Sequence, residues 1–163
     1  MKNIIVLAVD AARQDLTEHV AAAAEATRQL ARDTGDQVVV LHVHEFAYGR
    51  FGRIQVDCVE GDGEQVVDKV VAGLEEAGIS VSGVIRTTSY GHVAKAILAA
   101  ADEFGARLIV LGSSSRTDLP HLPFGSVSNR LLHLARRPVL IVPKGTRTAT
   151  AAEANVAEAA VTA

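Results

Sequence analysis

Apolar residues recur along this chain at two periods, and their alternation predicts its architecture. Asn3–Val9 (NIIVLAV) is a bounded apolar run of strand length, rich in Ile and Val. From Leu16 the period changes: Leu16, Val20, Ala23, Thr27 and Leu30 recur at spacings of four and three, one stripe of a helix that ends near Gly35. Gln37–Val43 (QVVVLHV) predicts a second strand. Val66, Val70, Leu74 and Ala77 mark a second helix stopped by Gly78, and Ser80–Arg86 a third strand weakened by Gly83. Val93, Ile97, Ala100 and Phe104 stripe a third helix, with Gly105 as its C-terminal stop. Arg107–Leu111 is a fourth strand, Val127, Leu131 and Leu134 a fourth helix, and Pro138–Val142 a fifth strand closed by Pro143. Two stretches have no period. Glu45–Gly61 reads as a long loop, and the residues after Gly145 read as a disordered tail.

Strands alternating with helices predict an α/β fold: a five-stranded parallel sheet, doubly wound and Rossmann-like, with strand order 3-2-1-4-5 and helices on both faces. Residues 1–144 would form one domain and 145–163 the tail. In such sheets ligands sit beyond the carboxyl ends of the strands, where the strand order reverses. Attention therefore falls on Asp10, on His44, on Thr87 onward and on Gly112 onward.

Composition narrows the classes. Hydrophobic residues make up 48% of the chain and aromatic ones only 4%, so the core must be built from Val, Leu, Ile and Ala, as buried parallel strands require. Sixteen basic and nineteen acidic residues give a formal charge of −3, which offers no footprint for nucleic-acid or membrane binding. With one cysteine, Cys58, no intrachain disulfide can form, and the apolar run at the N-terminus is too short for a signal or spanning segment. The expected setting is the cytoplasm.

After the fourth strand the chain reads Gly112-Ser113-Ser114-Ser115, then nine residues, then Gly125-Ser126-Val127-Ser128 at the start of a helix. Small residues directly after a strand let the backbone approach a ligand, and a Gly-Ser pair at a helix start offers free N–H groups, a hydroxyl and the positive end of the dipole. The chain resembles the universal stress protein family at this point. ATP-binding members carry Gly, two residues, Gly, nine residues, Gly, then Ser or Thr, and this sequence keeps that spacing at Gly112, Ser115, Gly125 and Ser126. The first strand ending Val9-Asp10, the run Leu41-His42-Val43, Leu108–Gly112 and Arg137–Val142 are similar as well. Two positions depart from the pattern: Ser115 replaces the second Gly, and Ala11-Ala12 replaces a frequent Gly-Ser.

The resemblance implies a nucleotide-binding regulator that works as a dimer, not a dedicated enzyme, with weak ATP hydrolysis as an incidental capacity. Asp10, Ala11 and the backbone of Val43 would hold the adenine and ribose end of ATP, AMP or another adenine nucleotide, with or without Mg²⁺. Gly112, Ser113, Ser115, Gly125, Ser126, Val127 and Ser128 would hold ribose and phosphates, and Arg116 lies close enough in sequence to help. The homodimer would form through Pro138–Val142. The alternative from another class is the same fold with its cleft unused, a nucleotide-free interaction module. A third class, the ATP pyrophosphatases, needs a Ser-Gly-Gly-x-Asp-Ser type loop after the first strand, which Ala11-Ala12-Arg13 does not supply.

Other constellations read more simply. His42 and His44 share a strand face at a spacing able to chelate metal, yet no motif ties a further ligand to them, so a sheet-lining pair is the better reading. Gly61-Asp62-Gly63 reads as a helix-entry turn rather than a dinucleotide fingerprint, because Val66 stands where the third glycine belongs. Cys58 reads as a spectator thiol.

Overall fold

The structure is a computed structural model; it describes residues 3–11, 17–56, 61–113, 125–143 and 145. The elements run β1 (Ile4–Ala8), α1 (Thr17–Thr34), β2 (Gln37–Gly49), β3 (Gly52–Gln55), α2 (Asp62–Glu76), β4 (Val81–Ser89), α3 (Val93–Glu103), β5 (Leu108–Gly112), α4 (Ser126–Leu134) and β6 (Val139–Val142). All four expected helices and all five expected strands are present, with ends displaced by a few residues. Gly78 and Gly105 follow α2 and α3 at φ of 77° and 61°, the left-handed conformation that ends a helix without a Cβ penalty.

The parallel strands lie in the order β4-β2-β1-β5-β6, which is the expected 3-2-1-4-5. One expectation needs correction. The sheet has six strands and is mixed, because β2 continues to Gly49 and β3 folds back against it antiparallel, pairing Phe46 with Gln55 and Gly49 with Gly52. Part of the stretch read as a loop is therefore a hairpin. Tyr48, Phe51 and Ile54 are 80%, 99% and 55% exposed, so no buried face imposed an apolar alternation that the sequence would display.

Two apolar layers flank the sheet. Ile5, Leu7, Val38 and Val40 face α1 and α2, where Ala23, Val67 and Leu74 meet them. Val6, Val39, Leu41 and Ile109 face α3 and α4, where Ile97, Ala101 and Leu131 complete the layer. Strand residues alternate between these layers, so a continuous apolar run serves both. Each fully buried Leu, Ile or Val stabilises the fold by about 1.5–3 kcal/mol. Alanines 94, 100 and 101 on α3 let that helix lie close to the sheet.

Candidate functional site

The strand register brings the carboxyl ends of three strands to one level. Ala8 lies beside Leu41 of β2 on one side and Leu111 of β5 on the other. Two residues further on, Asp10 falls level with Val43 and with Ser113. Asp10 is exposed, Ala11 is buried, and Ser113 is buried with its N–H donating to Val142 O at 2.7 Å.

Among the described residues a gap opens along this edge of β2. Val9 N donates to Leu41 O at 2.9 Å, just past the end of β1 at Ala8. The same edge is taken up again by β3, whose end is marked by Val56 N donating to Glu45 O at 2.9 Å. β4 occupies the opposite edge of β2 as far as the Phe46–Ser89 pair. Val43 lies between the two bonds at the same alternation as Leu41 and Glu45, so its N–H and C=O are directed into the gap. Its side chain is buried in the layer facing α3 and α4.

α4 packs against α3 and β6, and Val127 in its first turn joins the same apolar layer as Leu111 of β5. Gly125 precedes it in an extended conformation (φ −63°, ψ 165°), no side chain hydrogen-bonds across this N-cap, and the turn holds no acidic residue. The N–H groups of Ser126, Val127 and Ser128 therefore present the positive end of the helix dipole. Ser126 is exposed, Val127 half-buried, and Ser128 is 3% exposed on the inner side of the helix, so of the two serine hydroxyls Ser126's is the one at the surface.

Asp10, Ala11, Val43, Gly112 and Ser113 are thus brought to neighbouring strand ends, and Gly125–Ser128 form the helix entry. Ser115 and Arg116 lie outside the described residues. Gly112 has a structural reason of its own: a Cβ there would sit 2.6 Å from His19 O, so the glycine is required by the close approach of α1.

The histidine pair is internal. His42 and His44 are 2% and 5% exposed, with ring centroids 4.7 Å apart and planes at 81°. His42 Nδ1 donates to Val9 O at 2.9 Å, which ties β2 to the end of β1. Gln55 Nε2 donates to His44 Nδ1 at 3.1 Å, and His44 Nε2 donates to Glu64 Oε1 at 3.1 Å. Glu64's carboxyl is held below its usual range, first by its own backbone N–H and then by His44. The pair thus joins the hairpin, the end of β1 and the start of α2. Gln55 and Glu64 escaped the sequence reading, and Gly63 was read only as part of a helix-entry turn, because nothing local ties them to histidines eleven or more positions away. Gly61 enters α2 at φ 89°, consistent with a helix-entry turn. Cys58 lies outside the described residues. Among the described residues no helix is long and apolar enough to cross a membrane.

Comparison with known proteins agrees with this layout. The family model described as Universal stress protein family matches residues 1–143. Universal stress protein YxiE of Bacillus subtilis is 29% identical over 157 residues, covering 87% of this chain and 99% of the relative. A crystal structure from the universal stress protein family of Burkholderia pseudomallei is 28% identical with a TM-score of 0.65, covering 86% of this chain and 96% of that one. A universal stress protein of Archaeoglobus fulgidus in complex with dAMP shares the fold at 22% identity and a TM-score of 0.61, covering 86% and 97% of the two chains.

Proposed function

This chain belongs to the universal stress protein family, and from that premise we propose that it binds an adenine nucleotide, ATP or AMP, at the carboxyl ends of β1, β2 and β5 and acts as a dimeric regulator. The observation that carries this reading is the gap at Val43. An adenine edge offers an acceptor and an exocyclic donor side by side, and the N–H and C=O of one extended residue match that pair. Asp10, level with Val43 and exposed, suits a ribose hydroxyl. The open first turn of α4, with Gly125 and Ser126, suits phosphate oxygens. The bound dAMP of the Archaeoglobus fulgidus relative supports the choice of ligand class.

The kinds of groups available suit a regulatory role. Backbone amides, one carboxylate and serine hydroxyls hold and orient a nucleotide. The working compartment on this reading is the cytoplasm, and the dimer forms through β6.

Mass spectrometry of the small molecules released from freshly purified protein, with calorimetry on added AMP and ATP, tests the proposal. An adenine nucleotide at near-stoichiometric level, or saturable binding, is the expected result. Neither signal at millimolar nucleotide would leave the fold in use as a nucleotide-free interaction module.

A further inference from the structure

A cleft of about 720 Å³ runs between the start of α3 and the first two turns of α4. Tyr90, His92 and Lys95 line one wall, and Ser126, Arg130 and His133 the other. Among the described residues, the lining contains two fixed cations, two imidazoles and no carboxylate, on a chain whose formal charge is −3. Its walls are tied together: Arg130 donates across the cleft to Gly91 O. His92 Nδ1 donates to Tyr90 O at 3.0 Å, which fixes that ring in the wall. Cations gathered on both walls of a cleft favour an anion.

Ser126 belongs both to this cleft and to the helix entry assigned above to phosphates. Arg130 follows it by one turn, a rise of about 6 Å. We propose that the cleft is the polyphosphate arm of the nucleotide site: the distal phosphates of a nucleoside polyphosphate pass from the α4 entry into it, where Lys95 and Arg130 hold them. This rests on the adenine-nucleotide reading and adds a preference for longer phosphate chains. Exposed cations contribute modestly one at a time. A polyvalent anion meeting several at once, through charge-assisted hydrogen bonds, gains about tenfold or more in affinity.

Calorimetry on the full chain with AMP, ADP, ATP and inorganic tripolyphosphate separates the two layers of the argument. Affinity should rise with each added phosphate, ATP binding about tenfold tighter than AMP at low salt. Tripolyphosphate should bind by itself, compete with ATP, and shift the His92 and His133 ring resonances. In Lys95→Ser/His133→Ser, which spares the Arg130 bridge, the ratio of AMP to ATP dissociation constants should fall toward one, and Lys95→Glu should lower it further. AMP bound as tightly as ATP in the wild-type chain, or an unchanged ratio in these variants, overturns the cleft and leaves the adenine site standing. Tripolyphosphate binding with no nucleotide discrimination overturns the adenine reading, and with it the arm as part of a nucleotide site.

Discussion

Asp36 and Arg107 are 71 residues apart in sequence and meet below the sheet, where Arg107 Nε donates to Asp36 Oδ2 at 2.6 Å. The aspartate is 4% exposed and also accepts from Thr34 Oγ1 at 2.7 Å. It therefore fastens the end of α1 and the start of β2 to the start of β5, at the opposite end of the strands from the nucleotide site. Burial raises the Asp36 pKa, but the bonds from Arg107 and Thr34 outweigh it, and the carboxyl is held below its usual range.

A depressed carboxylate stabilises the fold fully above the unfolded-state pKa, about 3.9, and loses that contribution as pH falls through the folded-state value. Asp36→Asn should cost about 2 kcal/mol at pH 7, since it removes a charge-assisted bond to a partner that is itself partly solvated. The difference between variant and wild type should begin to shrink in urea melts as pH falls below the unfolded-state value of about 3.9. A constant difference from pH 7 to pH 3 would show that shape, not charge, is what Asn fails to supply.

Gly63 should tolerate no side chain. A Cβ there would stand 2.4 Å from His42 Cδ2 and 2.6 Å from His44 Cε1, and both rings are pinned by hydrogen bonds. Ala is the better helix former by about 1 kcal/mol, whereas overpacking a filled site costs about 1–3 kcal/mol. Gly63→Ala should therefore be net destabilising by up to about 2 kcal/mol in urea. It should also move the His42 and His44 ring resonances. A variant as stable as wild type would mean that the rings can give way.

The parallel core was legible because its strands are buried on both faces and its helices carry one apolar stripe each. Burial of this kind writes a period into the sequence. The hairpin was not legible, since Tyr48, Phe51 and Ile54 face solvent and their spacing is under no such constraint. At the candidate site, Asp10 and Gly112 were singled out from their place just after a strand, and the motif spacing added Ser115, Gly125 and Ser126. The gap at Val43 depends on where β1 stops and β3 begins, a relation between strands that no single stretch encodes. The cleft is likewise assembled from α3 and α4, more than thirty residues apart. No local pattern could place Lys95 opposite Arg130.

Two glycines of the motif should separate folding from binding. Gly112→Ala would drive its methyl into the backbone of His19, so it should lower stability by about 1–3 kcal/mol. Gly125 has an extended backbone that any residue can adopt, so Gly125→Val should keep the melting profile. Its branched side chain would stand at the helix entry, and AMP affinity should fall at least about tenfold, as calorimetry would show. Unchanged AMP binding in Gly125→Val would remove α4 from the site.

The last prediction concerns assembly. Both edges of the sheet are open among the described strands, since β4 pairs only with β2 and β6 only with β5. They differ in chemistry. β4 carries Arg86, Thr87, Thr88 and Ser89 toward its end, and polar residues with a charge blunt an edge against pairing. β6 is Val139-Leu140-Ile141-Val142 with no polar side chain, and Leu140 is 36% exposed on the α1 side of the sheet. Pairing β6 with the β6 of a second copy about a two-fold axis would satisfy its backbone and cover Leu140 in one closed contact. Leu140→Lys places a charge at a position already partly solvated, so the monomer should keep its fold while the dimer weakens. Light scattering at micromolar concentration should give twice the chain mass for wild type and a shift toward the single-chain mass for the variant, with unchanged circular dichroism. A wild-type monomer at that concentration would show that the β6 edge stays unpaired. A dimer untouched by Leu140→Lys would place the contact elsewhere, with the β4 edge as the next surface to charge.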